Sequence, residues 1–319
     1  MNAIEVHAAR KEFVVRKRAG RYARTRSTLV AVDGVSFEVP AGQILGYIGP
    51  NGAGKSTTVK MLTGILVPTA GRVTVAGLDP SRARIELTRK IGVVFGQRTQ
   101  LWWDLPLRDS FELLRHIYRV PEARFRENLG SFVALLDLEP FMDTPVRQLS
   151  LGQRMRGDLT AAMLHDPQIV FLDEPTVGLD VVAKAKVREF LLRMNAERGV
   201  TILLTTHDLS DIERLCSRMM IIDHGRVIYD GGVAEIAKRY GERRTLVVDL
   251  EEARPALEIP GAQVVRVDGP RQWLTFDAAV SAPDLIAAVA QRARLVDLAI
   301  EEPDIEQIVR RIYTEGPGG

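Results

Sequence analysis

Among 319 residues there is one cysteine, Cys216. That excludes an intrachain disulfide and any metal site built from several cysteines. No stretch approaches the ~20 consecutive apolar residues that span a bilayer, so if the protein acts at a membrane, something else must cross it. Met1 to Phe13 alternates polar and apolar residues and has no secretory hydrophobic region. An excess of charge of either sign is also missing: 43 basic residues stand against 41 acidic ones, a formal net charge of +2. This removes any case for nucleic-acid binding from overall charge, and a charge argument has to be local. There is no internal repeat and no low-complexity tract. What remains is an ordinary globular composition, with 46% hydrophobic and 26% charged residues. The length suits about two domains.

The most informative stretch is Gly49-Pro50-Asn51-Gly52-Ala53-Gly54-Lys55-Ser56-Thr57, between the apolar run Ile44–Ile48 and a helix-like segment ending near Leu62. It fits the phosphate-binding pattern G-x-x-x-x-G-K-[ST] in the strand-then-helix setting which that pattern requires. The glycines let the backbone approach an anion and turn successive amides toward it. The following helix adds about half a positive charge at its N-terminus. Lys55 is then expected to reach the β and γ phosphates and Ser56 to ligate Mg2+.

In chain order, Ile4–His7 and Val30–Val39 read as strands, separated by a basic excursion from Arg10 to Arg26. That excursion reads either as a solvated hairpin or loop or as a contact for anionic headgroups or an acidic partner. Phe13 and Tyr22, nearby, are candidates either for stacking on a purine or for packing. Arg72–Gly77 reads as a strand, Pro80–Lys90 as a helix and Ile91–Phe95 as a buried strand. Trp102 and Trp103 are adjacent just before helical periodicity begins; neighbouring side chains diverge, so both rings do not easily enter one small core, and the pair reads either as presenting one ring to a partner or as core packing. From Leu107 to about His165 the spacing is helical, and inside it Leu149-Ser150-Leu151-Gly152-Gln153 opens a helix with Ser150 as a natural N-cap.

Ile169-Val170-Phe171-Leu172-Asp173-Glu174 is an apolar run that ends in two acids, as in a central parallel strand covered on both faces. Acids at its carboxyl end stand where ligands bind in open α/β sheets. Asp173 is expected to hold Mg2+ and Glu174 to polarise a water. Val181–Arg198 reads as a helix and Val200–Thr206 as a buried strand with His207 at its carboxyl end, placed to contact a γ-phosphate. Arg218–Asp223 and Val227–Asp230 form a hairpin. From about Thr245 three strands, a helix, a strand and a last helix read as a small α+β domain without a catalytic constellation.

Taken in order, the phosphate loop, Gln97, Leu149–Gln153, Ile169–Glu174, Gly178-Leu179-Asp180 and His207 resemble the nucleotide-binding subunit of ABC transporters over about residues 4–240. Phe95-Gly96-Gln97-Arg98-Thr99-Gln100-Leu101-Trp102-Trp103-Asp104 and the short C-terminal domain are most similar to ATPases paired with ABC-2-type permeases, an exporter group. The resemblance implies an α/β P-loop NTPase cassette over residues 1–240. It would have a RecA-like core sheet, an antiparallel β-subdomain and an α-helical subdomain at about 105–165, followed by a small C-terminal domain over 245–319. It implies ATP and Mg2+ as cofactors, with Gly49, Pro50, Asn51, Gly52, Ala53, Gly54, Lys55, Ser56 and Thr57 on the phosphates. Ser56, Gln97 and Asp173 would hold the metal, Glu174 would be the general base and His207 the γ-phosphate sensor. Phe13 matches the aromatic that stacks on adenine, with Tyr22 a competitor.

By the same resemblance Ser150, Gly152 and Gln153 cap the ATP of a second copy in a head-to-tail dimer, and Asp180 links the two sites. Leu151 replaces the usual second-position glycine of that signature, and Gly96 adds a residue before Gln97, which leaves Gln100 as a distant alternative ligand. The implied work is ATP hydrolysis that powers export, at the cytoplasmic face of the membrane and through contact with a permease. Trp102 and Trp103 would line the groove that receives the permease, and no nucleic-acid partner is implied. The competing readings are the ATPase of an importer and a soluble ABC ATPase outside transport. Maltose-type import ATPases carry a longer β-rich C-terminal domain. Repair ATPases need coiled-coil or zinc inserts for which there is no room, and translation-associated ones carry two cassettes in one chain.

Overall fold

A computed structural model describes residues 1–18, 24–96, 98–240, 243–277, 279–301 and 305–315. The chain divides into two compact units, Met1–Asp230 and Gly231–Gly319. The first begins with β1 (Asn2–Arg18), β2 (Arg24–Pro40), β3 (Ile44–Ile48), α1 (Lys55–Leu62), β4 (Ala70–Val75), α2 (Arg84–Thr88) and β5 (Ile91–Phe95). It continues with α3 (Leu107–Tyr118), α4 (Glu122–Leu136), α5 (Leu151–Met163), β6 (Ile169–Asp173), α6 (Val181–Arg198), β7 (Thr201–Thr205), α7 (Leu209–Leu215), β8 (Arg218–Asp223) and β9 (Arg226–Gly232).

Two sheets organise this unit. Six strands lie in the order β5-β6-β7-β3-β8-β9. Pairing from β5 through β6 and β7 to β3, and from β3 to β8, is parallel. Every residue of β3 and β7 is buried, as expected of strands covered on both faces, which is why they read as unbroken apolar runs. The register sets Phe95, Asp173 and Thr205 side by side at the carboxyl edge. The second sheet is antiparallel, in the order β2-β1-β4. One apolar cluster joins the two sheets and α1 through Ile4, Val6, Phe37, Tyr47, Val59, Phe171 and Met220.

The described part of the basic excursion is paired strand: β1 and β2 stay paired from Asn2↔Pro40 to Arg18↔Arg24. The consecutive charges of Arg16-Lys17-Arg18 hide such a pairing, because they leave no polar–apolar alternation at the distal end of β1. The helix expected over Pro80–Lys90 shrinks to α2. The Asp79 carboxylate accepts from the Ser81 backbone N–H at 2.8 Å and from its hydroxyl at 2.6 Å, which holds that stretch as a turn.

The helical insert packs on its own aromatic core. Phe111, Phe125 and Phe132 are fully buried, and Phe132 meets Phe190 of α6 edge to face at 5.4 Å. At Gly157 of α5 a Cβ would lie 2.9 Å from Leu107 Cδ1, so a glycine lets α5 close on the start of α3.

The second unit holds α8 (Val233–Tyr240), β10 (Arg243–Leu250), β11 (Ala262–Asp268), β12 (Arg271–Asp277), α9 (Ala282–Ala290), β13 (Leu295–Glu301) and α10 (Ile305–Glu315). Its sheet is antiparallel, in the order β11-β12-β10-β13. Leu246, Val248, Leu274 and Phe276 pack against Leu285 and Val289 of α9. The helix α8 belongs to this unit, where it packs with α10. Among the described residues no helix is long and apolar enough to cross a membrane.

Candidate functional site

The phosphate-loop residues leave buried β3 and turn directly into α1. Gly49 sits where a Cβ would lie 2.5 Å from the Ile222 carbonyl oxygen. Gly54 takes φ +107° at the N-cap of α1, with the Ala31 carbonyl 2.4 Å from where its Cβ would stand. Only glycine fits either position. No side chain caps α1, so its first-turn amides remain available for an anion, at the positive end of the helix. The loop is braced from outside: Gly225 N–H donates to Ala53 O at 3.0 Å, and Asp33 N–H to Gly225 O at 2.8 Å.

Lys55 is 8% exposed, and its ammonium arches over the loop to donate to Gly49 O at 2.6 Å and Pro50 O at 3.2 Å. Burial lowers its pKa, against the opposing pull of Glu174 and Asp173. The Ser56 hydroxyl lies 3.1 Å from Asp173 Oδ2, and the other carboxylate oxygen accepts from the Thr205 hydroxyl. A hydroxyl and a carboxylate side by side are hard oxygen donors suited to Mg2+, which takes few protein ligands and completes its shell with water and phosphate. Among the described residues no three His, Cys, Asp or Glu side chains gather to hold a metal by themselves. A cation held here by Ser56 and Asp173 would complete its shell with water and phosphate oxygens.

Glu174 follows Asp173 with φ +57°, a left-handed backbone uncommon for glutamate. Its N–H donates to Thr205 O at 2.9 Å. Its Oε2 lies 2.8 Å from His207 Nδ1 and accepts the His207 backbone N–H at 3.3 Å. Phosphate loop, Mg2+-type donors, a second carboxylate and an imidazole thus share one edge of one sheet. Such a set can hold a polyphosphate, orient a water and take its proton.

The remaining expected residues lie elsewhere. Ser150 and Gln153 form a capping box on α5: Ser150 N–H donates to Gln153 Oε1 at 2.8 Å, and Gln153 N–H to Ser150 Oγ at 3.2 Å. Gly152 faces Leu179 and Ala183, while a Cβ at Gly178 would lie 2.6 Å from Leu151 Cδ2. Leu151, which stands where the signature usually has glycine, therefore packs onto Gly178. Asp180 caps α6, accepting from Ala183 N–H at 2.8 Å. Phe13 is half-buried on β1 opposite Leu29, with Lys11 Nζ 5.4 Å from its ring centre. Gln97 and Tyr22 lie outside the described residues.

Gly96 donates its N–H to Asp173 O at 2.7 Å, and a Cβ there would meet the Glu174 carbonyl at 2.7 Å, so the additional residue must be glycine. Gln100 is committed to α5, with its amide Nε2 donating to Asp158 O at 3.2 Å. Trp102 and Trp103 are 37% and 50% exposed, and the Arg154 guanidinium lies 5.5 Å from the Trp103 ring centre.

Two contributors were not singled out in the sequence. Thr205 supports Asp173, and Asp158, buried under Thr99 and Gln100, ties their loop to α5. Thr205 was findable only by knowing that β7 lies beside β6.

Comparison with known proteins gives the family. The ABC transporter family model matches residues 32–177. The chain is 40% identical over 203 residues to Nod factor export ATP-binding protein I of Rhizobium sp. (strain N33), covering 63% of this chain and 66% of that protein. It is 33% identical over 284 residues to daunorubicin resistance ATP-binding protein DrrA3 of Streptomyces coeruleorubidus, covering 87% and 89%. Against methionine import ATP-binding protein MetN of Geobacillus kaustophilus (strain HTA426) the identity is 31% over 306 residues, covering 92% and 87%. A solved dimeric ATP-binding cassette in a post-hydrolysis state, bound to ADP and Pi, superposes with TM-score 0.62 at 26% identity, covering 72% of this chain and 98% of that one.

Proposed function

Because the chain belongs to the ATP-binding proteins of ABC transporters and is an ATP hydrolase of that family, we propose that it is the subunit that powers an exporter built around an ABC-2-type permease. ATP lies with its phosphates on the loop Gly49–Thr57 and Lys55. Asp173 and Ser56 would hold Mg2+, with Gln97 as a further ligand, and the metal would supply charge neutralisation on the phosphates. Glu174 accepts a proton from the attacking water as its oxygen bonds the γ-phosphorus, and ADP departs. His207, beside Glu174, contacts the γ-phosphate. Phe13 stacks on adenine. Ser150, Gly152 and Gln153 of a second copy close over the nucleotide in a head-to-tail dimer, and Asp180 lies between the paired sites. The subunit works at the cytoplasmic face of the membrane, through its permease.

The observation that carries this reading is the contact of Glu174 Oε2 with His207 Nδ1, at the same sheet edge as the Ser56–Asp173 pair. Export is favoured by the likeness to Nod factor and daunorubicin proteins; the likeness to MetN supports import instead. Two measurements test it. Mg2+-dependent ATPase should vanish in Glu174→Gln while ATP binding persists. The permease that copurifies with the chain should move substrate outward in vesicles, and uptake by the complex would establish the import reading.

A further inference from the structure

The contact between Glu174 and His207 is exposed, with the imidazole 68% accessible. A solvent-facing pair of this kind contributes little to its own geometry. Glu174 is also held in a left-handed backbone that relaxes unless its surroundings over-determine it. Buried side chains lie close behind both groups in the chain.

Thr176 follows Glu174 by two positions and is 1% exposed; Asp211 follows His207 by four and is fully buried. The Thr176 hydroxyl donates to Asp211 Oδ2, and Arg188 Nε of α6 donates to Asp211 Oδ1 at 2.5 Å. The same guanidinium reaches Ser210 Oγ at 2.8 Å. Both oxygens of Asp211 are thereby spent, one on the loop behind Glu174 and one on the helix behind Asp180. A buried ion pair is a poor source of stability, since desolvation offsets its attraction. What it fixes well is position.

We propose that Asp211 is a positioning residue for hydrolysis. Through Thr176 it bolts the loop behind Glu174 to the helix behind His207, and so holds the base and the imidazole in register. The inference rests on the reading of Glu174 as base and His207 as its γ-phosphate partner.

The test uses the full chain, with Thr176→Val, which removes only the hydroxyl, and Thr176→Ser, which restores it. In Thr176→Val, kcat for Mg-ATP should fall on the order of tenfold or more, as misplacement of a reacting group by a fraction of an ångström does. KM should stay within about twofold, because the phosphate loop is untouched, and Thr176→Ser should recover most of kcat. Wild-type kcat in Thr176→Val overturns the proposal. So does a loss in which KM and melting temperature change in parallel and Thr176→Ser does not rescue, since that makes the tie a plain fold contact. Glu174→Gln, run beside them, separates the two readings. Retained turnover there removes the assignment of the base itself, whereas abolished turnover with an unaffected Thr176→Val removes only the role of Asp211.

Discussion

Ser56 and Asp173 meet at 3.1 Å across a sheet in which their parent strands are not neighbours: β7 lies between β3 and β6. The hydroxyl reaches over that strand from the first turn of α1, and Thr205 of the intervening strand holds the opposite carboxylate oxygen. Ser56→Ala should therefore weaken Mg2+ activation of hydrolysis on the order of tenfold or more, while nucleotide binding measured without the metal changes little. A Mg2+ titration of ATPase activity checks this.

Asp158 should make the cassette less stable as pH rises. Burial pushes its carboxyl up to about 6, against hydrogen bonds from the Thr99 hydroxyl and the Gln100 N–H. The folded protein thus holds this proton more tightly than the unfolded chain, and stability falls as pH rises from the ordinary carboxylate range through 6. Asp158→Asn keeps an oxygen for both donors and removes the buried charge. It should gain up to ~3 kcal/mol at pH 8, at ~1.4 kcal/mol per pKa unit, and the gain should shrink at pH 5. Urea unfolding at the two pH values measures it.

Cys216 should be inert in the native state. Burial first, and Asp211 second, push its thiol up to about 12. Its thiolate population, and with it alkylation by iodoacetamide at pH 8, should be lower on the order of a thousandfold than for a free cysteine. Full reactivity should appear in denaturant, read by mass spectrometry.

Replacing Trp102 and Trp103 together by alanine should leave ATP affinity within about twofold and uncouple hydrolysis from transport. Both rings are partly exposed, and Trp103 lies against Arg154, directly after Gln153 on α5. Aromatic side chains of this kind dominate interface energetics. Unchanged transport in vesicles would sink the idea that they receive the permease.

The phosphate loop could be read from the chain because its chemistry is local: glycines, Lys55 and Ser56 occupy consecutive positions on one strand-turn-helix. Asp173 and Glu174 were legible for a related reason, as acids that end an apolar run. Thr205 and the tie between Thr176 and Asp211 were not, since they depend on which strands adjoin, and pairing order is a long-range property that no window of sequence contains. The helix α7 escaped the reading as well. It is seven residues long and starts from Asp208, whose carboxyl burial would raise but Lys184 and Ser210 hold near 2. Part of that anchoring comes from Lys184 on α6, and so is not visible in the periodicity of α7 itself. The distal pairing of β1 and β2 was left open for a similar reason, since the consecutive charges of Arg16-Lys17-Arg18 show no polar–apolar alternation and only the observed pairing shows two strands.

The φ of +57° at Glu174 bears on how variants of this protein are to be sorted. A glutamate in that backbone region costs ~1–3 kcal/mol that glycine would largely recover. The inactivating change Glu174→Gly should then yield a chain that expresses at least as well as the parent, so abundance in a screen will not report competence. Selection for yield alone would drift toward silent cassettes.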